Sequence, residues 1–152
     1  GASPSGVQDA LDAVHAALAA LPRPRALVGA SLGGLLAVAC ADGADAVVLL
    51  NPLPPGPWAD AVETPAVDTL AWGARARLAS TREAVPDADP ATALAAFRRL
   101  QDCPARLLRE ARMLTVERTA VPAWMLVSAA DADIPPAAMR AWGGEWGIAV
   151  ED

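Results

Sequence analysis

Apolar residues near the start of the sequence recur with a helical period. From Val7 to Leu21 they recur at steps of four and three, which predicts one amphipathic helix. Ser5 and Gln8 have the spacing of a capping box at its start, and Pro22 and Pro24 end it. The first predicted element is therefore a helix that buries one face.

Two short apolar runs after this helix are typical of buried strands. Residues 26–30 and 46–50 contain no polar side chain, and the second run is rich in valine. A helix of small residues, from about Gly33 to Ala41, separates them. Strand, helix and strand in this order form a βαβ unit, so a parallel sheet is expected.

A proline-rich stretch from Asn51 interrupts this α/β pattern. Three helical segments are predicted beyond it, near residues 67–81, from Asp89-Pro90 to Leu100, and over residues 102–118. An ordinary connection between a helix and a strand has only about 2–6 residues. The length therefore predicts a helical insertion over residues 53–118.

The α/β pattern resumes after this insertion. Residues 123–128 predict a strand, residues 136–145 a short helix, and residues 147–151 a last strand. The predicted fold class is α/β, with a parallel-sheet core formed by residues 1–52 and 119–152.

The glycine-rich turn after the first strand carries the most specific signal. Residues 29–34 (Gly-Ala-Ser-Leu-Gly-Gly) match G-x-S-x-G between a strand and a helix, which places Ser31 at the tip of a strained turn. The backbone N–H of Leu32 would face a developing oxyanion. A dinucleotide fingerprint needs glycine at Ser31, and a phosphate-binding loop needs lysine at Leu35. A turn that merely packs tightly is the alternative.

The turn and the segments after it resemble the α/β-hydrolase family of esterases, lipases and thioesterases. Residues 47–52 are similar to the family's next strand and its exit, and the helical insertion resembles its cap. The stretch Asp131-Ala132-Asp133-Ile134-Pro135 resembles the loop that carries the catalytic acid. The resemblance implies that Ser31 is the nucleophile and Asp131 the acid, with Asp133 as the fallback. A solvated loop carboxylate or a helix N-cap is the alternative for Asp131.

The histidine that this chemistry requires has no counterpart in the sequence. The resemblance places it after the strand at residues 147–151, and it places the family's first strands and second oxyanion donor before residue 1. The single histidine, His15, lies on the first helix, in the wrong order for the triad, and is expected at the surface. Without a base, a serine hydroxyl is a weak nucleophile.

Trp58 and Trp72 are candidate pocket residues, because they lie at the front of the predicted cap. Ordinary core packing is the alternative for both. Four cap arginines are expected on a solvated helix face or, alternatively, at a docking site for an anionic carrier; they are Arg75, Arg77, Arg98 and Arg99.

Composition excludes several kinds of partner. The net charge is −6 and the arginines are scattered, which argues against nucleic acid and anionic membranes. No apolar run approaches the ~20 residues that span a bilayer. Cys40 and Cys103 form no metal or redox motif, and Cys40 is expected in the core, so no cofactor or metal is predicted. A cytoplasmic location is the expectation.

Three functions remain open from the sequence. The first is a serine hydrolase that acts on an apolar ester or thioester through an acyl-Ser31 intermediate, with histidine supplied from outside these residues. The second is a non-catalytic, truncated relative that serves as a ligand-binding or interaction module. The third is a cyclisation or carbon–carbon bond catalyst on the same scaffold. Because the predicted sheet has an open edge, a dimer or a partner chain is expected to cover it.

Overall fold

A parallel sheet of four strands forms the centre of the fold. The structure is a computed structural model that describes residues 6–72 and 77–152. The sheet has the order β1-β2-β5-β6, every neighbouring pair is parallel, and the predicted fold class is confirmed. The strands are β1 (Ala26–Ala30), β2 (Ala46–Leu50), β3 (Thr69–Leu70), β4 (Cys103–Pro104), β5 (Ala123–Leu126) and β6 (Ala149–Glu151).

Helices connect these strands and agree in most cases with the sequence pattern. The helices are α1 (Val7–Ala20), α2 (Leu32–Ala39), α3 (Leu78–Ala84), α4 (Pro90–Arg99), α5 (Arg106–Ala111) and α6 (Pro136–Trp146). Short 3₁₀ segments lie at Ala41–Gly43 and Gly56–Ala61. Asp89 caps α4 as predicted. Its carboxyl accepts hydrogen bonds from the Thr92 hydroxyl and from the N–H groups of Thr92 and Ala91, and these bonds lower its pKa.

Three helix predictions require correction. The N-cap of α1 is Gly6, with no side-chain cap, and Gln8 bonds Asp12 instead (Nε2 to Oδ1, 2.9 Å), while Ser5 lies outside the described residues. Residues 67–81 do not form one helix, because Thr69–Leu70 pairs antiparallel with Cys103–Pro104.

The third predicted cap helix is also shorter than expected. Helix α5 begins only after β4 and ends at Ala111, where the backbone bonds shorten to steps of three residues, from Met113 to Glu110 and from Leu114 to Ala111. The β-branched residues Thr115 and Val116 follow, and such residues favour helix less than straight-chain ones.

The core lies on one face of the four-stranded sheet. Val47, Leu49 and Met125 are fully buried there, and they pack with Leu35 of α2 and Trp142 of α6. Cys40 is buried beneath α1 as expected, and burial raises the pKa of its thiol.

The opposite face of the sheet is open among the described residues. Val28, Trp124 and Leu126 point to that face and are 66%, 45% and 42% exposed. Parallel sheets usually bury both faces. The sheet therefore presents an exposed apolar surface on this face.

The chain divides into two compact units whose limits differ from the predicted cap. Pro65–Leu107 forms one unit, and residues 6–64 with Leu108–Asp152 form the other. Residues 53–64 group with the sheet because Leu53, Ala59 and Val62 are buried, two of them in the main core cluster. The compact insertion is thus narrower than residues 53–118.

Arg25 fastens the end of α1 to the turn before β2. Its Nε donates to the carbonyl of Gly43 at 2.6 Å, and Nη1 donates to the carbonyls of Leu21, at 2.9 Å, and Leu18. These carbonyls include the C-terminal end of α1, where a cation is favourable.

We expect Arg25→Ala to lower the free energy of unfolding by about 2 kcal/mol, since hydrogen bonds to a charged group are lost. Arg23→Ala is the matched control, because Arg23 is 54% exposed and its pair with Asp45 lies at the surface. Urea unfolding of both variants measures the difference. Equal losses would contradict the anchoring role of Arg25.

No helix among the described residues is long and apolar enough to cross a membrane.

Candidate active site

The turn between β1 and α2 holds Ser31 in a strained conformation. Its φ is 50° and its ψ is −123°, outside the regions that residues with a side chain usually adopt. Backbone bonds fix this geometry: Ser31 N–H donates to Leu50 at 3.1 Å, and its carbonyl accepts from Gly34 at 2.9 Å and Leu53 at 2.8 Å. The surrounding structure therefore sustains a strained residue at the tip of the turn.

The hydroxyl of Ser31 does not cap the helix that follows it. Serine at an N-cap normally has extended backbone and accepts a bond from the first turn. Ser31 has neither property: it makes no side-chain cap bond, and it is exposed. An exposed hydroxyl without a capping role is available for chemistry.

The glycines of the motif have unequal roles. A Cβ at Gly29 would overlap the carbonyl group of Gly33 and lie 2.8 Å from the nitrogen of Gly34. A Cβ at Gly34 would lie 2.6 Å from the Cβ of Pro52. A Cβ at Gly33 would meet nothing within 4 Å outside its own helix. The motif predicts that glycines two residues before and two residues after Ser31 prevent collisions in the tight turn. This prediction holds for Gly29 and is wrong for Gly33.

Leu32 is placed to supply an oxyanion donor. It is the first residue of α2, and its backbone N–H has no acceptor in the described part of the chain. The amino end of a helix also favours negative charge. A second donor of this kind is not identified among the described residues.

The acid loop holds Asp131 by its own backbone. Asp131 Oδ1 accepts from the N–H of Asp133 at 2.9 Å and of Ile134 at 2.8 Å, and Ile134 is buried. Asp131 is half-buried, and within the described residues its Oδ2 accepts no hydrogen bond. Asp133, the fallback acid, is exposed. One carboxylate oxygen of Asp131 is thus fixed while the other is open to a partner.

Asn51 joins the two loops, and the sequence analysis did not assign it a role. It follows β2 directly, has a φ of 41°, and its Oδ1 accepts the N–H of Ser128 at 2.6 Å. Its position in the sequence could have indicated this role. Asn51 is a polar residue at the carboxyl end of β2, which lies between the strand before Ser31 and the strand before Asp131.

An apolar groove lies at the same end of the sheet. Its volume is about 310 Å³, and its walls are Leu50, Asn51, Leu126, Val127, Ser128 and Asp152. Leu50 and Leu126 are neighbours in the strand register, and the carbonyl of Leu50 accepts the N–H of Ser31. The groove therefore adjoins the backbone of the nucleophile turn.

His15 lies away from Ser31. It is exposed on α1, and the carbonyl of Leu11, one turn before it, lies 4.0 Å from the Sγ of Cys40 at the far end of α2. Helix α2 has eight residues, so its two ends are about 12 Å apart. His15 is therefore not positioned as the base.

Trp58 packs into the core rather than beside Ser31. Its ring meets Trp146 edge to face with centroids 6.4 Å apart, and Trp146 meets Trp142 at 5.5 Å. Helix α6 returns the chain to the start of β6, so Trp146 lies at the amino ends of the strands, opposite Ser31. This geometry matches the core-packing alternative, and Trp58 does not enter the proposed site.

Trp72 and the described cap arginines lie in the compact unit formed by Pro65–Leu107. Trp72 is 48% exposed in Pro65–Leu107, and Arg77, Arg98 and Arg99 are exposed, as on a solvated surface. Arg75 lies outside the described residues. Within the described ranges, no three histidine, cysteine, aspartate or glutamate side chains are grouped as a metal site.

Comparison with known proteins gives one family and several structural neighbours. The model of the alpha/beta hydrolase family matches residues 1–152. No curated protein matches the sequence significantly.

The structural neighbours include plant enzymes. Tomato methylketone synthase I complexed with 2-tridecanone has a TM-score of 0.68 and 16% identity, covering 97% of this chain and 70% of that chain. A variant of that enzyme complexed with beta-ketoheptanoate has a TM-score of 0.64 and 18% identity, covering 100% and 74%. The methylesterase MES16 from Arabidopsis has a TM-score of 0.63 and 16% identity, covering 96% and 68%. At these identities the neighbours establish the fold alone.

Proposed function

Because the chain belongs to the alpha/beta hydrolase family, we propose that it is a serine hydrolase acting on an apolar carboxylic ester or thioester. The observation that carries this proposal is the state of Ser31, which is exposed, strained and free of any capping bond. Such strain persists only where the surrounding structure enforces it, and it clusters at functional sites. A purely structural turn or a non-catalytic module has less need of it.

In the proposed mechanism, Ser31 Oγ attacks the acyl carbon and forms an acyl-enzyme with loss of the alcohol or thiol. The N–H of Leu32 stabilises the oxyanion of the tetrahedral intermediate. A base takes the proton of Ser31 and returns it to the leaving group, and water then releases the acid. The open Oδ2 of Asp131 would accept the N–H of an imidazole in that role.

The base is proposed to come from outside these 152 residues. The sequence has one histidine, and its place on α1 separates it from Ser31. An imidazole in contact with both Ser31 and Asp131 would complete the triad in the family's manner.

The apolar groove supports an apolar acyl chain as the group recognised. Leu50 and Leu126, which are 37% and 42% exposed, supply its hydrocarbon surface. Two neighbours are complexed with 2-tridecanone and beta-ketoheptanoate, which combine a carbonyl group with an alkyl chain. A third neighbour is a methylesterase, which supports the ester rather than another acyl derivative.

Acyl transfer from p-nitrophenyl esters tests this proposal. With imidazole present as the base, intact mass is expected to show one acyl group on the chain and none on Ser31→Ala. Hexanoate is expected to react about ten-fold faster than acetate, because burial of methylene groups is favourable. Leu126→Ser, which changes a groove wall, is expected to reduce this chain-length preference.

The opposite results would contradict the proposed function. Acylation of Ser31→Ala at the normal rate would place the reaction elsewhere, and equal rates for both esters would remove the groove from substrate binding. An N-acetylcysteamine thioester in parallel distinguishes thioester from ester preference.

We further propose that a second copy of the chain pairs with the outer edge of β1. No strand pairs with that edge among the described residues, and Ala26–Ala30 contains no proline or charged side chain to block pairing. The side chain of Val28, at the centre of this strand, points to the open face and is 66% exposed. Antiparallel pairing of two β1 strands about Val28 would provide hydrogen-bond partners for the free backbone groups of both edges.

Light scattering at micromolar concentrations tests this pairing. A dimer is expected for the unaltered chain and a monomer for Val28→Lys. Met113→Lys is the matched control, because Met113 is 84% exposed but lies outside the sheet. A monomeric unaltered chain would exclude self-pairing and favour a different partner chain.

A further inference from the structure

Asn51 stands between the two catalytic loops of the proposed site. The register aligns Ala30, Leu50 and Leu126 across three adjacent parallel strands. Ser31, Asn51 and the loop that leads to Asp131 leave the sheet at the same end. Neighbouring strands are about 4.8 Å apart, so the first and third strands are separated by about 10 Å.

A continuous path of hydrogen bonds crosses this distance. Ser31 N–H bonds the carbonyl of Leu50 at 3.1 Å, and Asn51 Oδ1 then accepts the N–H of Ser128 at 2.6 Å, across 77 residues of sequence. The carbonyl of Ser128 accepts the N–H of Asp131 at 3.2 Å. The Asn51 side chain therefore links the strand end beside the nucleophile turn to the acid loop.

The backbone of Asn51 is shaped for this link. Its φ of 41° is rare for a residue with a side chain, and asparagine is among the few that tolerate it. The N–H of Asn51 also donates to Leu126 at 2.9 Å, so backbone and side chain both bond the β5 end of the chain. Asn51 is therefore a half-buried residue that combines an unusual backbone conformation with a short hydrogen bond to Ser128.

We infer that Asn51 is a positioning residue that holds the acid loop at a fixed place relative to Ser31. The inference rests on the proposed function of Ser31 and Asp131. The inferred role of Asn51 is indirect: its side chain fixes the N–H of Ser128, and the carbonyl of Ser128 in turn accepts the N–H of Asp131.

Two variants separate the side-chain bond from the backbone strain. Asn51→Gly keeps the positive φ without strain but removes the acceptor, whereas Asn51→Asp keeps an acceptor oxygen. Thr119→Ala is the matched control, because Thr119 Oγ1 accepts the N–H of Val121 at 3.2 Å in a loop before β5, at the opposite end of the sheet.

Hydrogen exchange of the Ser128 amide is measured first, because it needs no catalytic activity. Asn51→Gly is expected to speed this exchange about ten-fold, as loss of one bond allows. Exchange at Val47 is expected to stay unchanged, which separates loop release from global unfolding. Asn51→Asp is expected to restore slow exchange at Ser128.

The second readout is the imidazole-dependent rate at which a fluorophosphonate modifies Ser31. It is expected to fall about ten-fold in Asn51→Gly, to recover in Asn51→Asp, and to stay unchanged in Thr119→Ala. The inference is overturned if the Ser128 amide exchanges at an unchanged rate in Asn51→Gly. It is also overturned if that amide exchanges faster while Ser31 is labelled at the normal rate.

If the unaltered chain is never labelled, the proposed function is refuted. The exchange rate of the Ser128 amide then still tests whether Asn51 holds the acid loop.

Discussion

Gly29→Ala is expected to destabilise the chain by about 3 kcal/mol or more, because the new methyl group would overlap backbone atoms rather than a flexible side chain. The methyl carbon would lie 2.8 Å from the nitrogen of Gly34 and closer still to the carbonyl group of Gly33. Relief requires β1 and α2 to move apart, and that movement would flatten the turn that holds Ser31. Urea unfolding gives the loss directly.

Gly33→Ala is the matched control within the same motif. The added methyl meets nothing within 4 Å outside its own helix, and alanine favours a helix over glycine by about 0.5–1 kcal/mol. Gly33→Ala is therefore expected to be neutral or slightly stabilising. A large loss at Gly33 or none at Gly29 would contradict the packing described for this turn.

The sheet was predictable from sequence because its strands are short, apolar and separated by clear signals. The runs at residues 26–30 and 46–50 are confirmed to the residue, since glycine, proline and aspartate mark their ends. The turn at Ser31 was also predictable, because a strand that enters a helix directly leaves few choices of residue. The different roles of Gly33 and Gly34 were not, because Pro52 comes into contact only through the fold.

The insertion was less predictable because tertiary pairing overrides helical rhythm there. Thr69–Leu70 pairs with residues more than thirty positions later, which no local pattern reveals. Trp58 was assigned to the pocket by its place at the front of the predicted cap, but its environment depends on Trp146, which is far along the chain. Asn51 was missed for the same reason: its partner Ser128 is 77 residues away.

The largest effect that we expect is the loss of fluorophosphonate labelling when Ser31 is replaced by alanine. A fluorophosphonate reacts only with an activated hydroxyl. In serine hydrolases with an intact oxyanion hole, that hole and the binding site retain about 10³–10⁴-fold catalysis over water when a triad member is removed. Free imidazole in solution replaces the missing base, as its ring is the reactive part of histidine. The rate is therefore expected to rise with imidazole concentration and to exceed that of N-acetylserinamide.

The decisive measurement is intact mass after fluorophosphonate treatment, with and without imidazole, on the chain, Ser31→Ala and His15→Ala. One adduct is expected on the chain, at a rate that imidazole increases. Ser31→Ala should lower it at least about 10³-fold, and His15→Ala should leave it unchanged. Absence of an adduct on the folded chain at every imidazole concentration, or an equal adduct on Ser31→Ala, would contradict the assignment of Ser31 as the nucleophile.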